Sequence, residues 1–218
     1  MSGLANTVIQ GVLLGGLYAL FAAGLSVIFG VMRLVNLAHG DLIVLGAFII
    51  LTLMTALGLD PFAATLVALP LMFVVGYALQ FVLLNRTLGH DLLPPLLVTF
   101  GLSIVIENGL LQVFSADSRR LDAGPIETAS LGLGHGLAVG VVPLMTLISA
   151  VLVIVALNLV FYRTHLGRAF RATSDDPEMA SLMGIDHRRT FAAAMGVAMV
   201  VVAIAALYLG GAQAAGTN

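Results

Sequence analysis

Long uninterrupted apolar runs restrict the possible folds of this chain more than any other feature. The first 32 residues contain no charged side chain, and the apolar run over about residues 6–31 exceeds the roughly 20 residues that a helix needs to cross a bilayer. Comparable runs follow at about residues 42–59, 62–84, 92–114, 138–161 and 190–209. Only 9% of the 218 residues are charged, whereas soluble domains carry about 25%. We therefore predict an all-α membrane helix bundle with about six transmembrane helices in a single domain, residues 1–218.

The first apolar run lacks the features of a cleaved secretory signal. Such a signal begins with basic residues, has a shorter apolar core and ends at a small-residue cleavage site. We therefore expect a retained first helix. Gly11, Gly15, Ala19 and Ala23 recur on it at every fourth position, and a stripe of small residues lets another helix approach closely in lipid.

The composition argues against several classes of function. The chain has no cysteine, which excludes disulfides, thiolate metal sites and thiol catalysis, and it has no lysine for a Walker-type nucleotide site. It also lacks a His-Glu-x-x-His zinc motif and a Gly-x-Ser-x-Gly nucleophile elbow. A net charge of −2 does not indicate nucleic-acid binding. We predict no catalytic residue, no metal site and no cofactor in this chain.

The polar interval between the last two apolar runs, residues 164–186, contains the signals of a short helix. Residues 174–176 supply capping oxygens, Pro177 suits the first helical position, and Gly184 suits the position that follows the last turn. The helix between them, about residues 178–183, has only about two turns and would not be stable alone in water. We predict that it docks on a partner. The alternative is an ordinary basic loop that fixes the topology.

The same interval resembles a known family. Its pattern T-x-L-G-R-A-x-R-A-x-x-x-D-x-x-x-A-x-L-x-G-I, residues 164–185, is similar to the cytoplasmic loop of the permease subunits of branched-chain amino acid ABC importers. The resemblance implies that residues 164–186 form a cytoplasmic coupling loop, whose helix lies in a groove of the ATPase subunit and transmits its motion. The residues that it implies for ATPase coupling are Gly167, Arg168, Ala169, Arg171, Ala172, Asp176, Pro177, Glu178, Ala180, Gly184 and Ile185.

A second polar interval, residues 36–41, lies between the first two apolar runs. Its sequence Asn-Leu-Ala-His-Gly-Asp is closely similar to the segment that joins the first two helices of the same permeases, which implies a position near the translocation path. The local alternative is that Asn36 or Asp41 caps the second helix and that Gly40 allows a break before it. The two interpretations are compatible, and both stay open here.

Polar residues also occur at membrane depth in the fourth apolar run, which resembles the corresponding span of the family. An acid facing lipid costs about 2.5–3.5 kcal/mol, so we expect Glu107 to face protein or water. It either marks the substrate path or pairs with Arg119 or Arg120, and we favour the pairing. The candidate residues of the translocation path are Asn36, His39, Asp41, Thr99, Ser103, Glu107 and Asn108.

The arginines predict the orientation of the chain. Seven of the nine lie in the first, third and fifth loops, and the other two lie in the fourth loop together with three acids. Because positive charge accumulates in cytoplasmic loops, we expect the N-terminus outside and the coupling loop inside. The fourth loop, about residues 115–136, is then the natural contact for a solute-binding protein.

The resemblance also implies partners and a solute. It implies a second homologous permease subunit, two cytoplasmic ATPase subunits and an extracytoplasmic solute-binding protein, all at the cell inner membrane. The solute would be a branched-chain amino acid or a related small polar molecule such as an amide or urea. The alternative is a secondary transporter or channel driven by an ion gradient, which a buried acid would suit. The resemblance covers only part of the family's usual length, so we expect a C-terminally truncated or shortened member.

Overall fold

The structure, a computed structural model, describes residues 2–87, 93–114, 129–134 and 137–215. Six of its helices are long and apolar enough to cross a membrane, which confirms the predicted helical bundle. In chain order the elements are α1 (Ser2–Met32), α2 (His39–Leu57), α3 (Pro61–Ala78), α4 (Leu93–Phe114), β1 (Ser130–Gly134), β2 (Leu137–Gly140), α5 (Val141–Arg163), α6 (His165–Asp175), α7 (Pro177–Leu182) and α8 (His187–Ala215). The spans are α1–α5 and α8. An antiparallel hairpin of β1 and β2, with Ser130 opposite Gly140, precedes α5 and was not predicted.

Local chemistry fixes several helix boundaries. The carboxylate of Asp60 accepts a hydrogen bond from the Ala63 amide at 3.3 Å, and Pro61 occupies the first position of α3. Capping by Asp and proline at the first helical position are both favourable there. Gly58, with φ of 65°, ends α2 in the left-handed conformation. Asp60 and Pro61 thus separate α2 from α3, in agreement with the predicted gap between the apolar runs 42–59 and 62–84.

The central helix of the bundle is α8. In its most apolar stretch 67% of the residues are buried, compared with 11% in α4, which lies at the periphery. Small residues bring α3 close to α8: a Cβ on Gly76 would lie 2.8 Å from the Met195 carbonyl oxygen, and one on Gly196 would lie 2.8 Å from the Phe73 ring. Apolar side chains gain little from leaving lipid for a helix interface, so close backbone approach is the main way in which membrane helices hold together.

The small-residue stripe predicted on α1 is only partly correct. Helix α5 approaches most closely at Gly16, where a Cβ would lie 2.8 Å from the Leu147 Cα. Gly11 and Gly15 have no such neighbour within 4 Å in the described chain. The contact with α5 therefore falls on a face of α1 adjacent to the predicted one.

Candidate coupling and translocation sites

The coupling loop begins with a sharp reversal at the end of α5. The Thr164 hydroxyl accepts a hydrogen bond from the Gly167 amide at 3.1 Å and donates one to the Val160 carbonyl oxygen at 2.6 Å. Gly167 lies directly against this chain end, because a Cβ there would overlap the carbonyl oxygens of Val160 and Phe161. Helix α6, which was not predicted from the sequence, therefore folds back onto α5.

One face of α6 is anchored in the bundle. Phe170 is fully buried, with its ring centroid 5.4 Å from that of Phe161. The Arg171 guanidinium donates to the Phe161 carbonyl oxygen and lies 5.3 Å from the centre of the Tyr162 ring, in a cation–π contact. Arg168 instead projects to solvent, where it meets His165. The coupling loop is thus fixed to the body of the protein through α6.

Helix α7 has the predicted limits. One carboxylate oxygen of Asp176 accepts from the amides of Glu178 and Met179, both at 3.0 Å. At the other end the Gly184 amide bonds to the Ser181 carbonyl and the Ile185 amide to the Ala180 carbonyl, with φ of 84° at Gly184. This pair of bonds is a Schellman motif, which requires a left-handed residue. The predicted capping role of Ser174 and Asp175 is wrong, because both residues belong to α6.

Helix α7 exposes three large apolar side chains. Ala180 is buried against the loop, while Met179, Leu182 and Met183 expose 57%, 80% and 81% of their surface, beside the exposed polar residues Glu178 and Ser181. The three apolar residues lie outside the candidate membrane spans. Exposed apolar side chains that cluster on a protein surface mark interaction sites. Sequence reasoning selected Ala180 and missed these three side chains.

The predicted coupling residues divide into two groups in the structure. Most of them build and hold the loop, and this group comprises Gly167, Arg171, Asp176, Ala180, Gly184 and Ile185. Arg168, Pro177 and Glu178 are exposed, whereas Ala169 and Ala172 are half-buried on α6. Asp176 and Gly184 shape the loop and are also exposed, so the residues that shape the loop overlap with those on its free surface.

The second polar interval forms a hydrogen-bonded link between α1, α2 and α4. Within the link, the Asn36 side-chain oxygen accepts from the Ala38 amide at 3.0 Å. The Leu37 amide donates to the Thr99 hydroxyl at 3.3 Å, and the Ser103 hydroxyl donates to a carboxylate oxygen of Asp41. The predicted path residues of the first loop are thus brought together with Thr99 and Ser103 of α4.

Two buried side chains in this link retain unpaired polar atoms. Asn36 and His39 are buried, with 4% and 8% of their surface exposed. His39 Nε2 lies 3.1 Å from the Phe21 carbonyl oxygen, but neither His39 Nδ1 nor Asn36 Nδ2 has a hydrogen-bond partner in the described chain. Such atoms are rare in folded proteins, and a bound water, an ion or a functional role can account for them.

The local capping alternative for this interval is wrong. Helix α2 begins at His39 after the N-cap residue Ala38, and no side chain caps it. Asp41 lies within the first turn, where its negative charge interacts favourably with the helix dipole.

Glu107 and Asn108 lie apart from this link. Both are exposed on α4, and the Asn108 amide bonds within its own helix to the Ile104 carbonyl at 2.8 Å. Glu107 makes no hydrogen bond or ion pair with another described residue. The predicted pairing with Arg119 or Arg120 lies outside the described residues.

Six apolar spans, a polar link among three of them and a capped helix outside the spans define a multi-pass membrane protein. The family model described as the permease component of branched-chain amino acid transport systems matches residues 7–216. The chain belongs to this family.

Similar proteins come from bacteria and an archaeon. The high-affinity branched-chain amino acid transport system permease protein BraD of Pseudomonas aeruginosa is 29% identical over 93% of this chain and 69% of its own length. LivH of Escherichia coli K12, with the same description, is 27% identical over 92% and 68%. A probable LivH of Methanocaldococcus jannaschii is 26% identical over 82% and 58%. No solved structure matches the chain.

Proposed function

We propose that this chain forms half of the translocation pathway of an ATP-driven importer of branched-chain amino acids. The observation that carries the proposal is α7, a short helix held at both ends and presenting Met179, Leu182 and Met183 to solvent. A helix so mounted is suited to insertion into a groove on another protein. Methionine side chains adapt well to such grooves.

The proposed partner at α7 is a cytoplasmic ATPase subunit, with a second copy acting on a second, homologous permease. The anchoring of α6 supports this role, because Gly167, Phe170 and Arg171 leave little freedom between the loop and α5. A force applied to α7 would therefore move the spans instead of bending the loop. An extracytoplasmic solute-binding protein completes the assembly and delivers the solute.

We include the orientation in the same proposal. The side of the bundle that carries α6 and α7 also carries Arg33, Arg86 and the arginines of the coupling loop, and this supports a cytoplasmic position under the positive-inside rule. The N-terminus is then outside the cell inner membrane.

For the path itself we propose the polar link between α1, α2 and α4. The Asp41–Ser103 bond and the Thr99–Leu37 bond give α4 a polar edge toward α2. The unpaired nitrogens of Asn36 and His39 are buried beside this edge, and they would become available to a polar solute if the link opened during transport. Glu107 lies one helical turn beyond Ser103, and Asn108 follows it.

Purification with the products of neighbouring reading frames tests the proposal. We expect two subunits with Walker motifs and a second permease to accompany the chain, and the reconstituted assembly to take up leucine, isoleucine or valine in the presence of ATP. An amide and urea serve as competing solutes. Uptake that follows a proton or sodium gradient without ATP would instead establish a secondary transporter, and labelling of residues 174–184 from the outside would reverse the orientation.

A further inference from the structure

Helix α3 ends irregularly on the side of the coupling loop. After Ala78 the chain makes a π-helical turn, Leu79–Leu83, and then a 3₁₀ turn, Leu84–Arg86. Single π-helical turns inside α-helices occur frequently at functional sites. They also disturb the regular hydrogen-bond ladder, so the helix bends or shifts there more easily than elsewhere.

Two side chains connect this irregular end to α8. Gln80 is fully buried and donates from Nε2 to the side-chain oxygen of Asn85 at 3.0 Å. Asn85 in turn donates from Nδ2 to the Arg188 carbonyl oxygen at 3.1 Å. Arg188 belongs to the first turn of α8, whose N-cap Asp186 follows directly on the Gly184–Ile185 end of α7. Asn85 therefore joins the end of α3 to the point at which the coupling loop enters α8.

The start of α8 is linked to α7. The Ser181 hydroxyl of α7 lies 2.9 Å from His187 Nδ1, and the Asp186 carboxylate caps α8 by accepting from the amides of Arg188 and Arg189. These bonds give a displacement of α7 a route to the first turn of α8. Arg188 is the residue there that receives the bond from α3.

Before the π-helical turn, α3 and α8 pack closely at two glycines. At Gly76 and Gly196 there is no space for even a methyl group, because Met195, Met199 and the Phe73 ring fill it. The π-helical turn comes immediately after this region. Its Gln80 keeps a side-chain oxygen, Oε1, without a partner in the described chain although the residue is fully buried. An unpaired buried acceptor is unfavourable. The free energy of the turn would therefore fall in a second arrangement that gave this oxygen a partner.

We propose that Asn85 is a positioning residue for coupling: by holding the Arg188 carbonyl, it makes the π-helical end of α3 follow the movement of the coupling loop. Coupling between distant sites is carried by hydrogen-bond networks and rigid elements that have two discrete arrangements. In this proposal the π-helical turn is the element that has two arrangements. The first turn of α8 is the rigid element that transmits the movement of the coupling loop to it. This inference rests on the proposed function, because it requires a partner that moves α7.

The test uses the complete transporter in proteoliposomes, with radiolabelled leucine as the solute. Asn85→Ala removes both bonds of the side chain, whereas Asn85→Asp keeps the acceptor for Gln80 and loses the donor to Arg188. We expect both variants to retain the ATPase subunits on purification. We expect the leucine taken up per ATP hydrolysed to fall in both by roughly twofold to thirtyfold, the range carried by coupling networks of this kind.

Asn6→Ala is the matched control, because Asn6 is an exposed asparagine near the start of α1 and should leave the ratio unchanged. The role of Asn85 is overturned if Asn85→Asp behaves like the unaltered protein, if uptake and hydrolysis fall in proportion, or if the ATPases are lost. If the unaltered transporter retains no ATPase, both the proposed function and the coupling role of Asn85 are overturned. If the unaltered transporter works normally and the variants take up the same amount of leucine per ATP hydrolysed, only the coupling role is overturned.

Discussion

The Ser174 hydroxyl of α6 donates a hydrogen bond of 2.7 Å to the Gly30 carbonyl oxygen of α1, across 144 positions of the chain. This carbonyl lies in the last turn of α1, where carbonyl oxygens lack the amide partner that a following helical turn would provide. The bond therefore satisfies a helix end and ties the coupling loop to a second span besides α5. A loop fixed to two spans is a more rigid support for α7 than a loop attached through its chain ends alone.

Replacing Gly167 by alanine should detach α6 from α5. The added methyl group would overlap two backbone carbonyl oxygens, and backbone cannot move aside as a side-chain tip can. Overpacking of this kind costs about 1–3 kcal/mol. We expect the variant to insert into the membrane, and we expect less ATPase to co-purify with it than with the unaltered protein.

Gly109→Ala is the control for Gly167→Ala, because Gly109 lies on α4 and a Cβ added there would meet nothing within 4 Å among the described residues. Full ATPase recovery by Gly167→Ala would show that α6 can leave α5 without disturbing α7. The support role of α6 would then have to be abandoned.

Polar replacement of the exposed α7 face should weaken docking without unfolding the protein. Leu182→Ser and Met183→Ser remove side chains that are 80% and 81% exposed, so the free energy of unfolding should change by no more than about 0.5 kcal/mol. Apolar anchors at the centre of an interface contribute more than about 1 kcal/mol each. We expect the affinity for the isolated ATPase to fall by roughly fivefold or more for each residue, as measured by titration.

Asp175→Ser provides the comparison for the α7 variants, since Asp175 is exposed in the same loop and its loss changes charge instead of apolar surface. An unchanged affinity of the Leu182 and Met183 variants, together with weakened binding by Asp175→Ser, would indicate an electrostatic interface.

Much of the fold was predictable from the sequence because it depends on local chemistry. The spans follow from apolar length, and the limits of α7 follow from Asp176, Pro177 and Gly184, whose roles are set by neighbouring backbone groups. Helix α6 was missed because its polar composition resembles that of a loop. Its signals were present in Thr164 as a capping residue and in one buried apolar side chain, Phe170.

The contacts between distant segments were not predictable. Nothing near Asn85 indicates that its amide reaches Arg188, 103 positions later, because that bond depends on how α3 and α8 pack. For the same reason the sequence could select Asp41 and Ser103 separately as candidates without showing that they share a hydrogen bond. The choice of face on α1, at Gly16 instead of Gly15, was likewise decided by the position of α5.

Ser103→Ala should impair transport and leave the assembly intact. The change removes the hydroxyl that donates to the Asp41 carboxylate, and hydrogen bonds to charged groups contribute about 1.5–3 kcal/mol. We expect slower leucine uptake with normal ATPase recovery. Thr52→Ala is the control, because Thr52 is exposed on α2 and its hydroxyl bonds only to the Phe48 carbonyl oxygen of its own helix among the described residues. Normal uptake by Ser103→Ala would remove the Asp41–Ser103 pair from the proposed path.

Glu107→Gln separates the two roles considered for the acid on α4. Glutamine keeps the size and most of the hydrogen-bonding capacity of the side chain and removes its charge. A position on the path, one turn beyond Ser103, predicts that leucine uptake falls while ATPase recovery and thermal stability stay normal. Pairing with Arg119 or Arg120 predicts the opposite result: uptake is unaltered, the thermal unfolding temperature falls, and adding the matching arginine-to-glutamine change causes no further fall, because the two groups act as one pair.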